Sequence, residues 1–389
     1  MKNVLYVFSG EKAQGAEIVI ERLMAYNTAH INTHLFISPG DFAHQLMKAD
    51  KPYKISMVDE LRRLFRNKTN GFSFYLKAVR NHFKVSYKVY RYLKKEQIDI
   101  VHANNIVATA YLIPVLLYTK LFLRKKIWIW SDHDMGYASK IDKTISKIAV
   151  RLYDCTLVVS AAVSKKYRGN NKVEVLYNGL DTAVFKLNIQ ARKDFRTNLN
   201  LPDNAVLLGM AGKIIPGKGH LGLIEVFNRL TPVFPNAYLI LAGNFSDDNP
   251  EHNDKVKQAM AANNNIIYLG FLNDITAYYN GCDIIISNSD NKMSESLGTT
   301  IYEAMAFEKI VVASGTGGSA EIISDGIDGF LFEAESKAGL LDKLTLTLKN
   351  QPHNPVIGMA AREKVKNKFN ISTMAQQYNN ILNMLVKSV

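Results

Sequence analysis

Short apolar runs rich in β-branched residues alternate with helical stretches along nearly the whole chain. The runs form two sets, one at 2–8, 31–38, 98–103, 127–134, 156–160 and 173–181, and one at 205–213, 237–243, 265–271, 283–287 and 309–314. Runs of this length that alternate with helices indicate βαβ units with parallel strands. The pattern predicts two doubly wound α/β halves, whose ligands bind beyond the carboxyl ends of the strands.

The length of 389 residues also favours two domains, because a single hydrophobic core rarely grows to that size. The polar stretch 183–203 is interpreted as a linker. The predicted domains are therefore 1–185 and 200–370, and the tail has a helical pattern. The basic and aromatic stretch 54–97 is interpreted as two helices around a break at Asn70 and Gly71.

The segment 294–306, SESLGTTIYEAMA, follows the run 283–287 and opens a predicted helix. The first-turn N–H groups of a helix lack intrahelical partners and therefore bind phosphate. Glu295 lies in the loop before this helix, and Glu303 lies about one turn inside it. A sugar nucleotide is linear, so one carboxylate can accept from sugar hydroxyls and the other from ribose hydroxyls, with the diphosphate between them.

This segment resembles the paired-glutamate motif of retaining glycosyltransferases of family 4, which have the GT-B fold of two Rossmann-like domains facing a central cleft. The resemblance implies that Glu295 positions the donor sugar without becoming a covalent nucleophile, and that Leu297, Gly298 and Thr299 lie at the diphosphate. It also implies that a last helix, at about 371–389, packs back on the first domain.

A second motif, GKIIPGKG at 212–219, follows the first strand of the second half. Lys213 and Lys218 flank a glycine-rich turn and suit a diphosphate. The motif resembles the basic pair of the family, which is usually arginine followed by lysine; Lys213 lacks the bidentate geometry of arginine. Lys218 is predicted to stabilise the leaving group, and a plain surface turn is the alternative.

Three further segments resemble family positions near the ligands. Gly270 and Phe271 match the place where the chain passes the nucleobase. The glycine-rich segment 314–321 either approaches the donor or forms a tight turn. In the first half only Gly15 matches the usual glycine pair, because Gln14 replaces the other member.

Acceptor-side candidates follow strands of the first half. His133 and Asp134 resemble the histidine-aspartate pair of the family, with His133 as a catalytic candidate. A lone histidine is more often structural, but His133 closes a predicted buried strand; His102, in the segment 99–105, is the weaker candidate. Asp132 and Asp134 resemble a metal pair, but a basic loop and a helix end neutralise a diphosphate without metal, so we predict no metal and no cofactor beyond the nucleotide-sugar co-substrate.

The net charge of +13 is concentrated in the first half. Residues 1–186 contain 30 Lys or Arg and 15 Asp or Glu, whereas the remainder contains 18 and 20. A basic half-protein prefers an anionic partner. The aromatic and basic residues of 54–95, with the apolar-then-basic segment 111–126, predict a membrane face; the alternative is that these aromatics are core.

The predicted function is transfer of a hexosyl group from a UDP- or GDP-sugar to a sugar hydroxyl of a lipid-linked glycan, as in bacterial lipopolysaccharide or other surface polysaccharide synthesis. The alternatives are a soluble acceptor, or a basic Rossmann protein that binds nucleic acid or membrane without transferase activity. Nucleic acid is not a predicted partner, because no nucleic-acid-binding motif is found. No apolar run reaches the ~20 residues needed to span a bilayer; the predicted location is cytoplasmic, with peripheral binding to the inner face of the membrane left open.

Overall fold

The computed structural model describes residues 1–13, 15–62, 71–122, 126–350 and 354–387. The chain divides into two compact units. Unit 1 consists of residues 1–179 together with the C-terminal segment from Ile371, and unit 2 consists of residues 180–370. Each unit is built on one parallel sheet.

Unit 1 has a seven-stranded sheet in the order β3-β2-β1-β4-β5-β6-β7, with elements numbered in chain order. Its strands are β1 (Lys2–Phe8), β2 (Ile31–Ile37), β3 (Lys54–Met57), β4 (Ile100–Ala103), β5 (Ile127–Asp132), β6 (Cys155–Val158) and β7 (Val173–Val175). Its helices are α1 (Gly15–Tyr26), α2 (Asp41–Lys48), α3 (Gly71–Lys95), α4 (Ile106–Phe122), α5 (Lys140–Leu152), α6 (Ala161–Ser164) and α15 (Ile371–Lys387), with 3-10 turns at Asp59–Leu61 and Lys165–Tyr167.

Unit 2 has a six-stranded sheet in the order β10-β9-β8-β11-β12-β13. Its strands are β8 (Val206–Ala211), β9 (Ala237–Ala242), β10 (Ile266–Tyr268), β11 (Ile284–Ser287), β12 (Ile310–Ser314) and β13 (Phe330–Phe332). Its helices are α7 (Ile189–Asn198), α8 (His220–Leu230), α9 (Pro250–Ala261), α10 (Thr276–Gly281), α11 (Thr299–Ala306), α12 (Ser319–Ile322), α13 (Lys337–Lys349) and α14 (Asn354–Lys368), with a 3-10 turn at Pro216–Lys218.

Both strand orders reverse direction at the first strand of the unit, which is the doubly wound arrangement. The central strands are buried on both faces: every residue from Val4 to Phe8 in β1 is fully buried. Such strands read as continuous apolar runs because helices cover both faces of the sheet. The predicted α/β class, with two Rossmann-like halves, is confirmed.

The prediction of two helices in 54–97 is wrong in its first part. Residues Lys54–Met57 form β3, which pairs with β2 in parallel at the edge of the sheet. The alternation of Lys54, Ile55, Ser56 and Met57 has the period of a strand, and the Lys54 ammonium ion-pairs with Glu96 at 2.9 Å. The second part is helical as α3, and the Asn70 side of the predicted break lies outside the described residues.

The predicted linker 183–203 is in part the helix α7. Asn188 caps this helix, because its side chain accepts a hydrogen bond from the Ala191 N–H at 3.0 Å. The guanidinium groups of Arg192 and Arg196 lie 2.5 and 3.4 Å from the carboxylate of Asp283, just before β11. The polar residues of the stretch therefore attach it to unit 2.

The C-terminal helix α15 belongs to unit 1. Its residues Met374, Tyr378, Ile381 and Leu382 are buried in the same core as β1 and α1. The spacing of these residues places them on one face of the helix. Among the described helices, none is long and apolar enough to cross a bilayer.

Candidate active site

Three glycines end neighbouring strands of unit 2 and bring their backbones close together. The Gly212 N–H donates to the Ala242 carbonyl at 2.9 Å, and the Gly243 N–H donates to the Gly270 carbonyl at 2.7 Å. Gly243 has a φ of 135°, and a Cβ there would overlap the Gly212 carbonyl. Only glycine permits this approach, which opens a cavity beyond the strand ends.

That cavity has a volume of about 440 Å³. It is lined by Ala211, Gly212, Lys213, Ala242, Gly243, Asn244, Phe271, Leu272, Ile275, Tyr279, Thr300 and Glu303. Phe271 is 64% exposed, so its ring offers an open face to a planar ligand. Three sequence-predicted residues, Lys213, Phe271 and Glu303, therefore line one cavity.

Tyr279 holds the carboxylate of Glu303 at this cavity. Its hydroxyl donates to Oε2 of Glu303 at 3.1 Å. Burial, and then the negative charge of Glu303, raise the pKa of Tyr279 well above its ordinary value. The hydroxyl therefore stays protonated and can donate to the Glu303 carboxylate.

The helix α11 begins beside the same cavity. Gly298 precedes it with a left-handed φ of 83°, Thr299 is its first residue, and Thr300 lines the cavity. Leu297 is buried and anchors the preceding loop. The free N–H groups at such a helix end favour an anion.

A charged pair joins the loop that leads into α11 to the 3-10 turn Pro216–Lys218. The Lys218 ammonium contacts Oε1 of Glu295, and the Ser289 hydroxyl donates to the same oxygen at 2.8 Å. Lys218 and Glu295 keep 24% and 19% of their side-chain area exposed, so a ligand can reach both. The contact between the Lys218 ammonium and the Glu295 carboxylate holds both side chains in place.

The lysine side of the pair is fixed by backbone contacts. The Asp290 N–H donates to the Gly217 carbonyl at 2.9 Å, and the Asn288 side-chain amide donates to the Gly219 carbonyl at 2.8 Å. Gly219 has a φ of 77°, and a Cβ there would overlap the Asn288 carbonyl. The basic motif is therefore built against the segment after β11.

The glycine-rich segment 314–321 supports the glutamate side. The Gly318 N–H donates to the Glu295 carbonyl at 2.8 Å. A Cβ on Gly318 would lie 2.6 Å from the Leu297 Cα and the Ser296 carbonyl oxygen. The backbone of this segment therefore packs against the loop that carries Glu295 and supports its position.

A second pocket, of about 660 Å³, lies in unit 1. It is lined by Ser9, Gly10, Glu11, Lys12, Gly15, Ala16, Glu17, Asn105, Ile106, Val107, His133 and Asp134. The sequence-predicted residues Gly15, His133 and Asp134 therefore share this pocket. Nε2 of His133 lies 3.1 Å from Oδ1 of Asn104. Burial lowers the pKa of His133 to about 4, against the opposing charge of Asp132, so the ring is neutral near pH 7.

The Asp132 carboxylate is already engaged by other side chains. Lys166 Nζ lies 2.5 Å from Oδ2 of Asp132, and the Tyr167 hydroxyl donates to the same oxygen at 2.6 Å. A cation in that position competes with any metal ion. In the ranges that the structure describes, no cluster of three or more His, Cys, Asp or Glu side chains is arranged to hold a metal.

His102 lies in the interior of unit 1, apart from the pocket-lining residues. Nδ1 lies 2.9 Å from the Tyr378 hydroxyl of α15, and Nε2 lies 2.7 Å from the Ser131 hydroxyl. Burial, and then the charge of His133, lower the pKa of His102 to about 3. With both nitrogens satisfied, the ring joins α15 to β5, and the structure does not bring it together with His133 and Asp134 in one lining.

Sequence reasoning missed Tyr279 and Ser289, which hold the two glutamates. Tyr279 belongs to the short helix α10, and Ser289 stands two residues after β11. Ser289 could have been found from its position just after a strand, where site residues are expected. No pattern in the sequence near Tyr279 indicates a contact with Glu303.

Two family models match the chain. Residues 13–184 match Glycosyltransferase Family 4, and residues 191–364 match Glycosyl transferases group 1. The chain belongs to glycosyltransferase family 4. It is thus a glycosyltransferase, and the GT-B fold of the family agrees with its two parallel-sheet units.

Relatives within the family differ in what they make. The chain is 23% identical to the capsular polysaccharide biosynthesis glycosyltransferase CapM of Staphylococcus aureus over 70% of this chain and 71% of that protein. It is 23% identical to a trehalose synthase of Pyrococcus horikoshii over 68% and 66% of the two chains. The crystal structure of Anabaena Alr3699/HepE in complex with UDP has a similar fold, with a TM-score of 0.81 and 20% identity over 99% of this chain and 100% of that one.

Proposed function

We propose that this glycosyltransferase moves a hexosyl group from a UDP- or GDP-linked sugar to a sugar hydroxyl of a lipid-linked glycan in bacterial surface polysaccharide synthesis, with retention of anomeric configuration. The observation that carries the donor side is the arrangement in unit 2. A cavity with an exposed aromatic ring and an oriented carboxylate lies beside a helix N-terminus. Glu295, on the loop before that helix, pairs with Lys218 of the 3-10 turn before α8.

The donor binds along this arrangement in a fixed order. The base stacks on Phe271, which is 64% exposed, and the ribose hydroxyls donate to the Glu303 carboxylate. The diphosphate lies at the start of α11 with Lys213 and Lys218, whose charges neutralise it. The sugar then reaches Glu295, which accepts from its hydroxyls.

Departure of the leaving group is the demanding step. The bond between the anomeric carbon and the phosphate oxygen breaks, the acceptor oxygen bonds to that carbon on the same face, and the acceptor proton passes to the departing phosphate. Negative charge grows on the diphosphate, where the Lys218 ammonium and the first-turn N–H groups of α11 stabilise it. Glu295 is held by Lys218 and Ser289 as an acceptor that orients the sugar.

The acceptor side belongs to the pocket of unit 1. His133 is neutral near pH 7. Nε2 faces the accepting Oδ1 of Asn104 and therefore carries the proton, so Nδ1 can accept a hydrogen bond from a sugar hydroxyl. The name of the Staphylococcus relative supports a polysaccharide acceptor. The name of the Pyrococcus relative supports the alternative of a soluble acceptor.

A donor screen tests the proposal. Purified protein is incubated with UDP-, GDP-, ADP- and dTDP-sugars, with and without EDTA, and with membrane extract or a soluble sugar as acceptor. We expect thermal stabilisation and nucleotide release with one UDP- or GDP-sugar, unchanged by EDTA because Lys213, Lys218 and α11 supply the charge. If no donor and acceptor give thermal stabilisation or nucleotide release, the transferase proposal is contradicted. Loss of turnover in EDTA contradicts its metal-independent form.

Two matched glutamate variants separate the roles. Glu295→Gln is expected to lower kcat by at least 100-fold while nucleotide affinity stays within about threefold, since electrostatic groups at the reacting centre act mainly in the transition state. Glu303→Gln is expected to weaken nucleotide binding by about tenfold, the usual loss for a hydrogen bond to a charged group. Calorimetric titration with the free nucleotide and steady-state kinetics measure both, and the reverse pattern refutes the assignment.

A further inference from the structure

The helix α3 of unit 1 carries an apolar stripe on its exposed side. Leu76, Val79, Phe83 and Tyr87 are spaced by three or four residues and are 57%, 54%, 66% and 60% exposed. A different face of the same helix, with Val85, Val89 and Leu93, is buried. A soluble helix needs only one apolar stripe, so the exposed one is available for another partner.

The end of α4 extends this surface. Leu117, Tyr118, Leu121 and Phe122 are all exposed, the last two by about 70%. Between the two helices lies a groove of about 320 Å³, lined by Phe83, Ser86, Tyr87, Tyr90, Pro114, Val115 and Tyr118. We call the exposed stripe of α3, the end of α4 and this groove the apolar face.

Positive charge runs along the apolar face. The helix α3 contains seven Lys or Arg and no Asp or Glu. Lys77, Arg80, Lys84 and Lys88 are exposed and each follow a residue of the apolar stripe by one position, which places a basic stripe beside it. Lys84 and Lys88 also lie near Glu60, at 3.7 and 2.6 Å, whereas Lys77 and Arg80 form no ion pair with a described residue.

We propose that the apolar face docks on an anionic lipid bilayer, with its aliphatic and aromatic side chains entering the headgroup boundary, hydrocarbon entering the groove, and the basic stripe contacting lipid phosphates. An interfacial helix has these features: an apolar side, flanking lysines and arginines, and aromatic residues at the boundary. Tyr87, Tyr90 and Tyr118 supply the amphipathic rings.

The charge pattern argues against the other occupants. In a symmetric dimer, the apolar face would meet a copy of itself and bring two acid-free basic helices together, which like-charge repulsion opposes. A nucleic acid would satisfy the cations but would leave Leu76, Val79, Leu121 and Phe122 unused. An anionic bilayer satisfies both features at once.

This inference deepens the proposed function, because it names where the enzyme meets a membrane that carries a lipid-linked acceptor. The two can fail separately. Vesicle binding is measured without donor or acceptor, and nucleotide binding is measured without lipid.

Vesicle sedimentation of the full chain tests the inference. The vesicles are neutral phosphatidylcholine, or phosphatidylcholine with about one-third phosphatidylglycerol. We expect binding to the anionic vesicles that weakens with salt and is far weaker with the neutral ones. The double variant Lys77→Gln/Arg80→Gln should weaken it by about 30-fold, since each basic residue near an anionic surface contributes about fivefold.

A second pair of changes tests the apolar part. Phe83→Ser/Leu121→Ser should lower binding to anionic vesicles by at least about tenfold, because insertion free energy follows buried apolar area. The matched controls lie in unit 2: Lys255→Gln/Lys257→Gln for charge, and Val233→Ser/Ile327→Ser for exposed apolar residues of similar exposure. Thermal unfolding confirms that each variant is folded.

Three results would overturn the inference. Equal binding to neutral and anionic vesicles removes the role of the basic stripe, and no binding removes the docking surface. A concentration-dependent dimer that the Phe83→Ser/Leu121→Ser variant abolishes would assign the apolar face to a second copy of the chain.

Discussion

Replacing Gly318 by alanine tests whether the glycine-rich segment sets the position of Glu295. Gly318 has an ordinary right-handed backbone, with a φ of −73° and a ψ of −12°, so alanine introduces no backbone strain there. Its new methyl group, however, would lie 2.6 Å from the Ser296 carbonyl oxygen and from the Leu297 Cα. Since both neighbours are backbone atoms, no side-chain rotation can relieve the contact.

The size of the effect follows from this distance. Ordinary contacts of a Cβ begin near 3.4 Å, so the two segments must separate by about 0.8 Å. A displacement of about 1 Å in a group that positions substrate costs on the order of 100-fold in rate. We therefore expect kcat to fall between 10-fold and 100-fold in Gly318→Ala, with nucleotide affinity changed by less than threefold because Glu303 and Phe271 are untouched.

Gly222→Ala is the matched control. Gly222 lies inside α8 with a helical backbone, and a Cβ there would meet the Asn288 side chain at an ordinary 3.7 Å. We expect unchanged kcat and slightly higher stability, since alanine favours a helix over glycine. Steady-state nucleotide release with the donor found by the screen gives kcat, and thermal unfolding checks the fold. If Gly318→Ala retains kcat within twofold of the wild type, the segment does not position Glu295.

Two further predictions use buried groups. Tyr279→Phe removes the donor to Glu303 and should weaken nucleotide binding by about tenfold with kcat little changed; equal affinity in calorimetric titration would show that Tyr279 does not hold the carboxylate. Burial lowers the pKa of His220 from 6.5 to about 4, so the unfolded chain binds a proton that the folded chain does not, and stability is lost as pH falls from 6.5 towards 4. A histidine that is protonated only in the unfolded chain contributes a slope of about 1.4 kcal/mol per pH unit to the free energy of unfolding. His220→Leu should therefore flatten the pH dependence of the free energy of unfolding, measured in urea at pH 5, 6 and 7. An unchanged slope refutes the assignment.

Much of the fold could be predicted because strand-forming residues are concentrated in short buried runs. The segment 283–287 is an example: its isoleucines have no side to turn to water in a central parallel strand, so the run itself identifies β11. The edge strand β3 was missed because it lacks such an apolar run: it is short and half-polar, and it begins with a lysine. The helix α7 was missed because its polar residues bind Asp283, which is distant in sequence.

In the candidate site, too, local patterns could be predicted and contacts between distant segments could not. Loops after strands could be located because every parallel sheet presents its strand ends on one side, which indicated Lys213, Lys218, Glu295 and Glu303. The contacts that orient those residues depend on packing between separate segments, as for Tyr279, and no local pattern encodes them. His102, the weaker acceptor-side candidate, shows the same limit, because its partners Tyr378 and Ser131 come from distant segments and enclose its ring. The roles of the site residues stay predictions until variants are measured.

The return of α15 to unit 1 has a consequence for synthesis of the chain. Unit 2 is contiguous, from Leu180 to Asn370, whereas unit 1 needs residues from both ends. Domains usually complete folding in the order in which they leave the ribosome. Here the first 179 residues emerge early, yet the part of the unit 1 core that packs against Met374, Tyr378 and Leu382 stays incomplete until translation has passed all of unit 2. The unit that starts first therefore finishes last, and until then the apolar core residues of unit 1 that pack against α15 stay uncovered.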